Sequence, residues 1–103
     1  MKLLVVLSVK EYQRKVTALL EEAGVNRFSV VDIAGYKKKK GSISWFASHP
    51  DSEKTDSILL LSFTGEEIAN QALNKINECN AEMQNPFPAH AFVMDVESFS
   101  NLI

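Results

Sequence analysis

One cysteine, three prolines and four glycines among 103 residues leave this chain little material for special backbone devices. A single thiol, Cys79, closes no intramolecular disulfide and builds no cysteine-rich zinc site. Folding has to rest on a hydrophobic core, and a reducing compartment, the cytoplasm, is expected. The apolar opening Leu3-Leu4-Val5-Val6-Leu7 falls far short of the roughly 20 residues of a membrane-spanning helix. No small-residue cleavage pattern follows it, so it reads as a buried strand and not as a leader. Charge of one sign is lacking as well: 11 basic residues against 13 acidic ones give a net charge of −2. No global basic field favours nucleic acid or an anionic membrane, and any anion site has to be local. Nucleophile motifs and glycine-rich phosphate loops are also missing.

What remains is the composition of an ordinary globular domain, 46% hydrophobic and 23% charged, with a length that suits one domain over residues 1–103. Residues 2–9 are almost continuously β-favouring, the pattern of a central strand covered on both faces. Ser8 stands three residues before Glu11, a capping-box spacing that predicts a helix start. Tyr12, Val16, Leu19, Leu20 and Ala23 then form one apolar helical stripe. Gly24 is placed to end that helix in a left-handed conformation. Residues 28–36 read as a second strand and residues 57–63 as a third. Thr64 and Glu67 repeat the capping-box spacing ahead of a second amphipathic helix carrying Ile68, Ala69, Ala72, Leu73, Ile76 and Cys79. Asn85-Pro86-Phe87-Pro88 cannot continue it and leads into a fourth strand over residues 89–96.

The order βαββαβ predicts an α+β, ferredoxin-like sandwich: a four-stranded antiparallel sheet with two helices on one face. Strands one and three are apolar at successive positions, so the face without helices should be greasy. That predicts a homo-oligomer packed sheet to sheet, a trimer or dimer; the competing expectation is that residues 99–103 cover the face alone.

Between strands two and three, residues 37–56 form a long polar segment, longer than a neutral connector in so small a domain and expected to be a flexible loop. It opens with Lys37-Lys38-Lys39-Lys40. Four like charges in a row either lie in solvent, where they also discourage edge pairing, or together hold a phosphate, carboxylate or bicarbonate. Trp45 and Phe46 are large aromatics in polar surroundings, which suits docking on a partner. His49 with Asp51 and Glu53 offers metal-ligand types, although a histidine beside carboxylates on a loop is commonly just solvated. Cys79 lies on the apolar stripe and is expected as a small core residue.

In order and spacing these pieces resemble the nitrogen-regulatory PII signalling proteins and their PII-like relatives, over nearly the whole chain. The resemblance is carried by Met-Lys-Leu-Leu-Val-Val-Leu at the start, Leu20-Glu21-Glu22-Ala23-Gly24-Val25, and Phe28-Ser29-Val30-Val31-Asp32-Ile33-Ala34-Gly35-Tyr36. Lys40-Gly41 and Ala91-Phe92-Val93-Met94-Asp95-Val96-Glu97 complete it. It implies a homotrimer that binds adenine nucleotides or related small molecules in clefts between subunits and signals through the loop after strand two. On that pattern Gly35, Tyr36, Lys38 and Lys40 match cleft-facing positions, and His90 stands where the family carries a lysine. The chain departs from the family in the connection before the last strand. There the glycine-rich phosphate cradle is replaced by Glu82-Met83-Gln84-Asn85-Pro86-Phe87-Pro88-Ala89-His90. Without glycine, and with two prolines lacking N–H groups, close backbone approach to a phosphate is lost.

The expectation is a PII-like trimeric regulator. A small anionic effector, such as an adenine nucleotide, binds near Gly35, Tyr36, Lys38, Lys40 and His90, and Trp45 and Phe46 dock on a transporter or enzyme partner. The alternatives are a metal-binding trimer of the same fold, with His49 or His90 as ligand, and a small ferredoxin-like enzyme with His90 or Asp32 as base.

Overall fold

The computed structural model describes residues 1–38, 52–83 and 87–100, with residues 35–38, 52–55 and 83 described by backbone alone. The elements run β1 (Lys2–Val9), a 3₁₀ turn over Lys10–Tyr12, α1 (Gln13–Glu22), β2 (Ser29–Lys38), β3 (Ser52–Thr64), α2 (Glu66–Met83) and β4 (His90–Asp95). The sheet order is β2-β3-β1-β4 and every neighbouring pair is antiparallel. This is the expected βαββαβ arrangement, with β1 and β3 central and β2 and β4 at the edges.

Alternation along β1 divides its side chains between two faces. Leu4 and Val6 join Ile58 and Leu60 of β3 in a core with Val16 and Leu20 of α1 and Ala72 and Ile76 of α2. Both helices therefore pack on one face. Leu3, Val5 and Leu7 point to the other face, beside Phe63, Leu61 and Leu59 across the β3 ladder and Met94, Phe92 and His90 across the β4 ladder.

The stop of α1 is as the sequence predicts. Gly24 adopts φ +97°; its amide donates to the Glu21 carbonyl at 3.0 Å and the Val25 amide donates to the Leu20 carbonyl at 2.9 Å. This is a Schellman motif, in which Val25 and Leu20, both buried, supply the accompanying apolar contact.

The start of α1 differs. Ser8 does not cap a helix: it lies inside β1, fully buried, and its hydroxyl donates to the Val9 carbonyl at 3.1 Å. Val9 precedes the 3₁₀ turn with no side-chain cap. Ladder pairing with Ile58 holds Ser8 in the strand, and that long-range partner outweighs a local capping preference. Likewise Thr64 ends β3, and the first bond of α2 runs from the Ala69 amide to the Gly65 carbonyl at 3.0 Å.

β2 and β3 also run further than expected. Lys37 and Lys38 pair with Glu53 and Ser52, so the described ends of the 37–56 segment are ladder, beyond the last rung shared with β1 at Val9 and Ser57. The rest of the segment, residues 39–51, lies outside the described residues. No helix among the described residues is long and apolar enough to cross a membrane.

Candidate functional site

The open sheet face keeps the apolar character expected of it. Phe63 is 60% exposed, Phe92 50%, Met94 48% and Val31 45%. Leu3 and Val5 lie half-buried between them on the same face. Phe99 is itself 60% exposed, so at that residue the C-terminal segment leaves the face uncovered; residues 101–103 lie outside the described residues. A contiguous apolar surface of this kind marks an interaction face more often than bare solvent exposure.

At one edge of the sheet, β4 begins at His90, opposite Leu7. Its entrance is held by Asn80, three residues before the end of α2. The Asn80 side-chain nitrogen donates to the Ala89 carbonyl at 2.8 Å, and the Ala89 amide donates to the Asn80 side-chain oxygen at 3.1 Å. Both backbone polar groups of the residue preceding His90 are therefore satisfied by one carboxamide. Sequence reasoning missed this pair: an asparagine on the polar side of a helix carries no signal for a partner nine residues on. Beside it, on the helix face, Ser8, Tyr12, Lys15 and Cys79 line a shallow pocket with Asn80 and Ala89. Cys79 is half-buried at that pocket, outside the buried core.

At the opposite edge, Gly35, Tyr36 and Lys38 occupy β2 rungs facing Thr55, Lys54 and Ser52. The ladders give their relation to His90. His90 pairs with Leu7, Leu7 with Leu59 and Leu59 with Val31, so His90 and Val31 share a row across the sheet. Three strand spacings, about 14 Å, separate them, and Gly35 lies about 13 Å further along β2. Within one chain His90 and Gly35 are thus on the order of 20 Å apart. The structure brings Gly35, Tyr36 and Lys38 together on one ribbon and does not bring His90 to them. Lys40, Trp45 and Phe46 lie outside the described residues.

Asp32, weighed as a base, is exposed on edge strand β2 with its carboxylate 3.6 Å from the Lys10 ammonium. It is an edge ion pair between β2 and the 3₁₀ turn, not a group in a cleft. No cluster of three or more histidine, cysteine or acidic side chains suited to a metal occurs among the described residues. His49 lies outside them.

An exposed ion pair lies at the far end of β1 and β4. Lys2 pairs with Asp95, and the Val96 amide donates to the Met1 carbonyl at 3.2 Å. The hydrogen bond from Lys2 lowers the Asp95 carboxyl below its ordinary range, and the same bond raises the Lys2 ammonium above its own.

No family model and no curated protein matches the chain. Solved structures do. CPII, a nitrogen regulatory PII-like protein from Thiomonas intermedia, solved with ADP, AMP and bicarbonate, is similar at 20% identity with a TM-score of 0.67, over 98% of this chain and 94% of that one. The same protein with ADP, AMP and acetate gives 21% and 0.62, over 92% and 84%. A PII-like signalling protein from Thermus thermophilus gives 17% and 0.61, over 92% and 85%. Identities this low speak to architecture: the chain has the ferredoxin-like fold of the PII-like signalling proteins.

Proposed function

We propose that the chain is a divergent PII-like regulatory protein and not an enzyme. In this reading it is a cytoplasmic homotrimer that buries its open sheet face against copies of itself. It takes a small anionic effector, an adenine nucleotide first of all, in the clefts between them. The observation that carries the reading is the combination of an uncovered apolar face, with Phe63, Phe92 and Met94 about half exposed or more, and candidate residues on opposite edges of one sheet. Gly35, Tyr36 and Lys38 on β2 are too far from His90 on β4 to share a ligand within one chain. The β2 edge of one copy beside the β4 edge of the next supplies both. The nucleotides in the CPII structures support the ligand class.

The phosphate contacts in this reading differ from those of a glycine-rich cradle. Pro86 and Pro88 remove two N–H donors from the β4 entrance. The anion then relies on the Lys38 and Lys40 ammonium groups and on His90, point charges and a ring nitrogen in place of converging backbone amides. In this reading Trp45 and Phe46, which lie between β2 and β3 in the sequence, dock on a transporter or enzyme, and ligand charge at Lys38 and Lys40 biases that contact.

Two measurements test this. The mass in solution at micromolar concentration is expected to be three times that of the chain; a monomer removes the cleft and the reading with it. Fluorescence of the single tryptophan, Trp45, titrated with ADP, AMP, bicarbonate and divalent metals, is expected to change with nucleotide. A response to metal alone favours a metal-binding trimer, and no response to any of them leaves a plain oligomerisation module.

A further inference from the structure

The β4 entrance is fixed by a side chain where a backbone usually serves. In an antiparallel sheet, a hydrogen-bonded pair of residues exchanges both N–H···O=C bonds. Among the described residues β4 has a strand, β1, on one side only. At Ala89, the residue immediately before β4, the Asn80 carboxamide provides both halves of such an exchange, at 2.8 and 3.1 Å. Pro88 has no N–H, so the Ala89 amide is the first after it that can be held. A carboxamide carries its donor and its acceptor on separate atoms of one planar group, as a peptide does, so it can take the Ala89 carbonyl and amide together. Aspartate at the same place has no donor for the Ala89 carbonyl, and glutamine carries its amide one methylene too far out. The next residue is His90, half-buried, opposite Leu7 and in the row of Leu59 and Val31.

We propose that Asn80 is a positioning residue for His90: by holding Ala89 from helix α2, it sets where the imidazole stands at the cleft edge of β4 and so tunes effector affinity. The positioning part stands on the Asn80–Ala89 geometry alone; the affinity part rests on the cleft reading of the preceding subsection. The physical basis is reach. A ring carried by the first residue of an edge strand moves with any slack in the peptide before it, and segments that leave a proline have no ladder of their own to remove that slack.

The test uses the full chain with Asn80→Asp and Asn80→Gln, read by the ring resonances of His90 at one fixed pH and by titration with AMP. Expected is a displaced His90 ring signal in both variants, at unchanged solution mass. AMP binding should weaken about fivefold, the loss of roughly one hydrogen bond. A purely structural Asn80 would lower the melting temperature and leave the His90 ring signal where it is, and that outcome overturns the proposal. Amide exchange at Ala89 in the unsubstituted protein gives a check that needs no variant: protection is expected, and an unprotected Ala89 amide overturns the proposal outright. Failure of the unsubstituted chain to bind AMP counts against the cleft reading and the affinity part resting on it, while the His90 signal still decides the positioning.

Discussion

Lys2 and Asp95 stand directly opposite each other on the β1–β4 ladder, 93 residues apart in sequence, and their side chains form a hydrogen-bonded ion pair. Together with the Val96 amide on the Met1 carbonyl, the pair ties the last strand to the first residues of the chain.

This tie has a pH window. Asp95 is held below its ordinary value by the Lys2 hydrogen bond, so its contribution is present above the unfolded carboxyl value of about 3.9 and is lost as pH falls through the lower folded value. Lys2 is raised by the same bond, so its contribution is present below about 10.4 and is lost as pH rises through the higher folded value. The pair acts fully between about pH 4 and pH 10. Asp95→Asn is expected to speed amide exchange at Val96 at neutral pH, with a small effect on melting because the pair is exposed. The difference from the unsubstituted chain should shrink as pH falls below the ordinary carboxyl range and vanish once Asp95 is protonated in the folded chain as well.

Phe92 and Phe63 lie on the face without helices, 50% and 60% exposed. Phe92→Asp or Phe63→Asp is expected to leave the single chain folded, since neither side chain belongs to the buried core, and to turn the self-associated species into monomer. Light scattering reads the mass and circular dichroism the fold. An unchanged oligomer in both variants would show that this face is not the one that associates.

Leu60, one residue before Leu61 on β3, points the other way and is 1% exposed in the core between sheet and helices. Leu60→Ala should lower stability by about 2–5 kcal/mol through lost burial and the cavity left behind. Chemical denaturation at a fixed protein concentration measures it, and a loss below about 1 kcal/mol would contradict the packing described.

Gly24→Ala tests the end of α1. A Cβ there meets the Ile68 side chain no closer than 3.7 Å, ordinary contact, so space is not the obstacle. The cost comes from φ +97°, where an L side chain crowds its own backbone, and about 1–2 kcal/mol is expected in thermal or chemical unfolding.

Local chemistry made much of this protein legible from its residues. Val16, Leu20, Ala72 and Ile76 sit on the buried helix stripes that their spacing implies. Gly24 ends α1 because few other residues accept its φ. The successive apolar positions of β1 and β3 showed that both sheet faces would be greasy. The element order followed, and with it the fold that the PII-like structures share.

The tertiary structure alone decided matters that depend on partners distant in the chain. Ser8 has a capping spacing on paper, yet pairing with Ile58 keeps it in β1. Register sets His90 and Gly35 on opposite edges, because one strand order out of several puts β1 and β3 between them. Lys2 and Asp95 meet only once helix α2 has delivered β4 to its place beside β1. Short-range preferences fix elements within a few residues of themselves, whereas strand order and cross-sheet contacts depend on closing long loops. No window of the sequence contains both ends of such a contact.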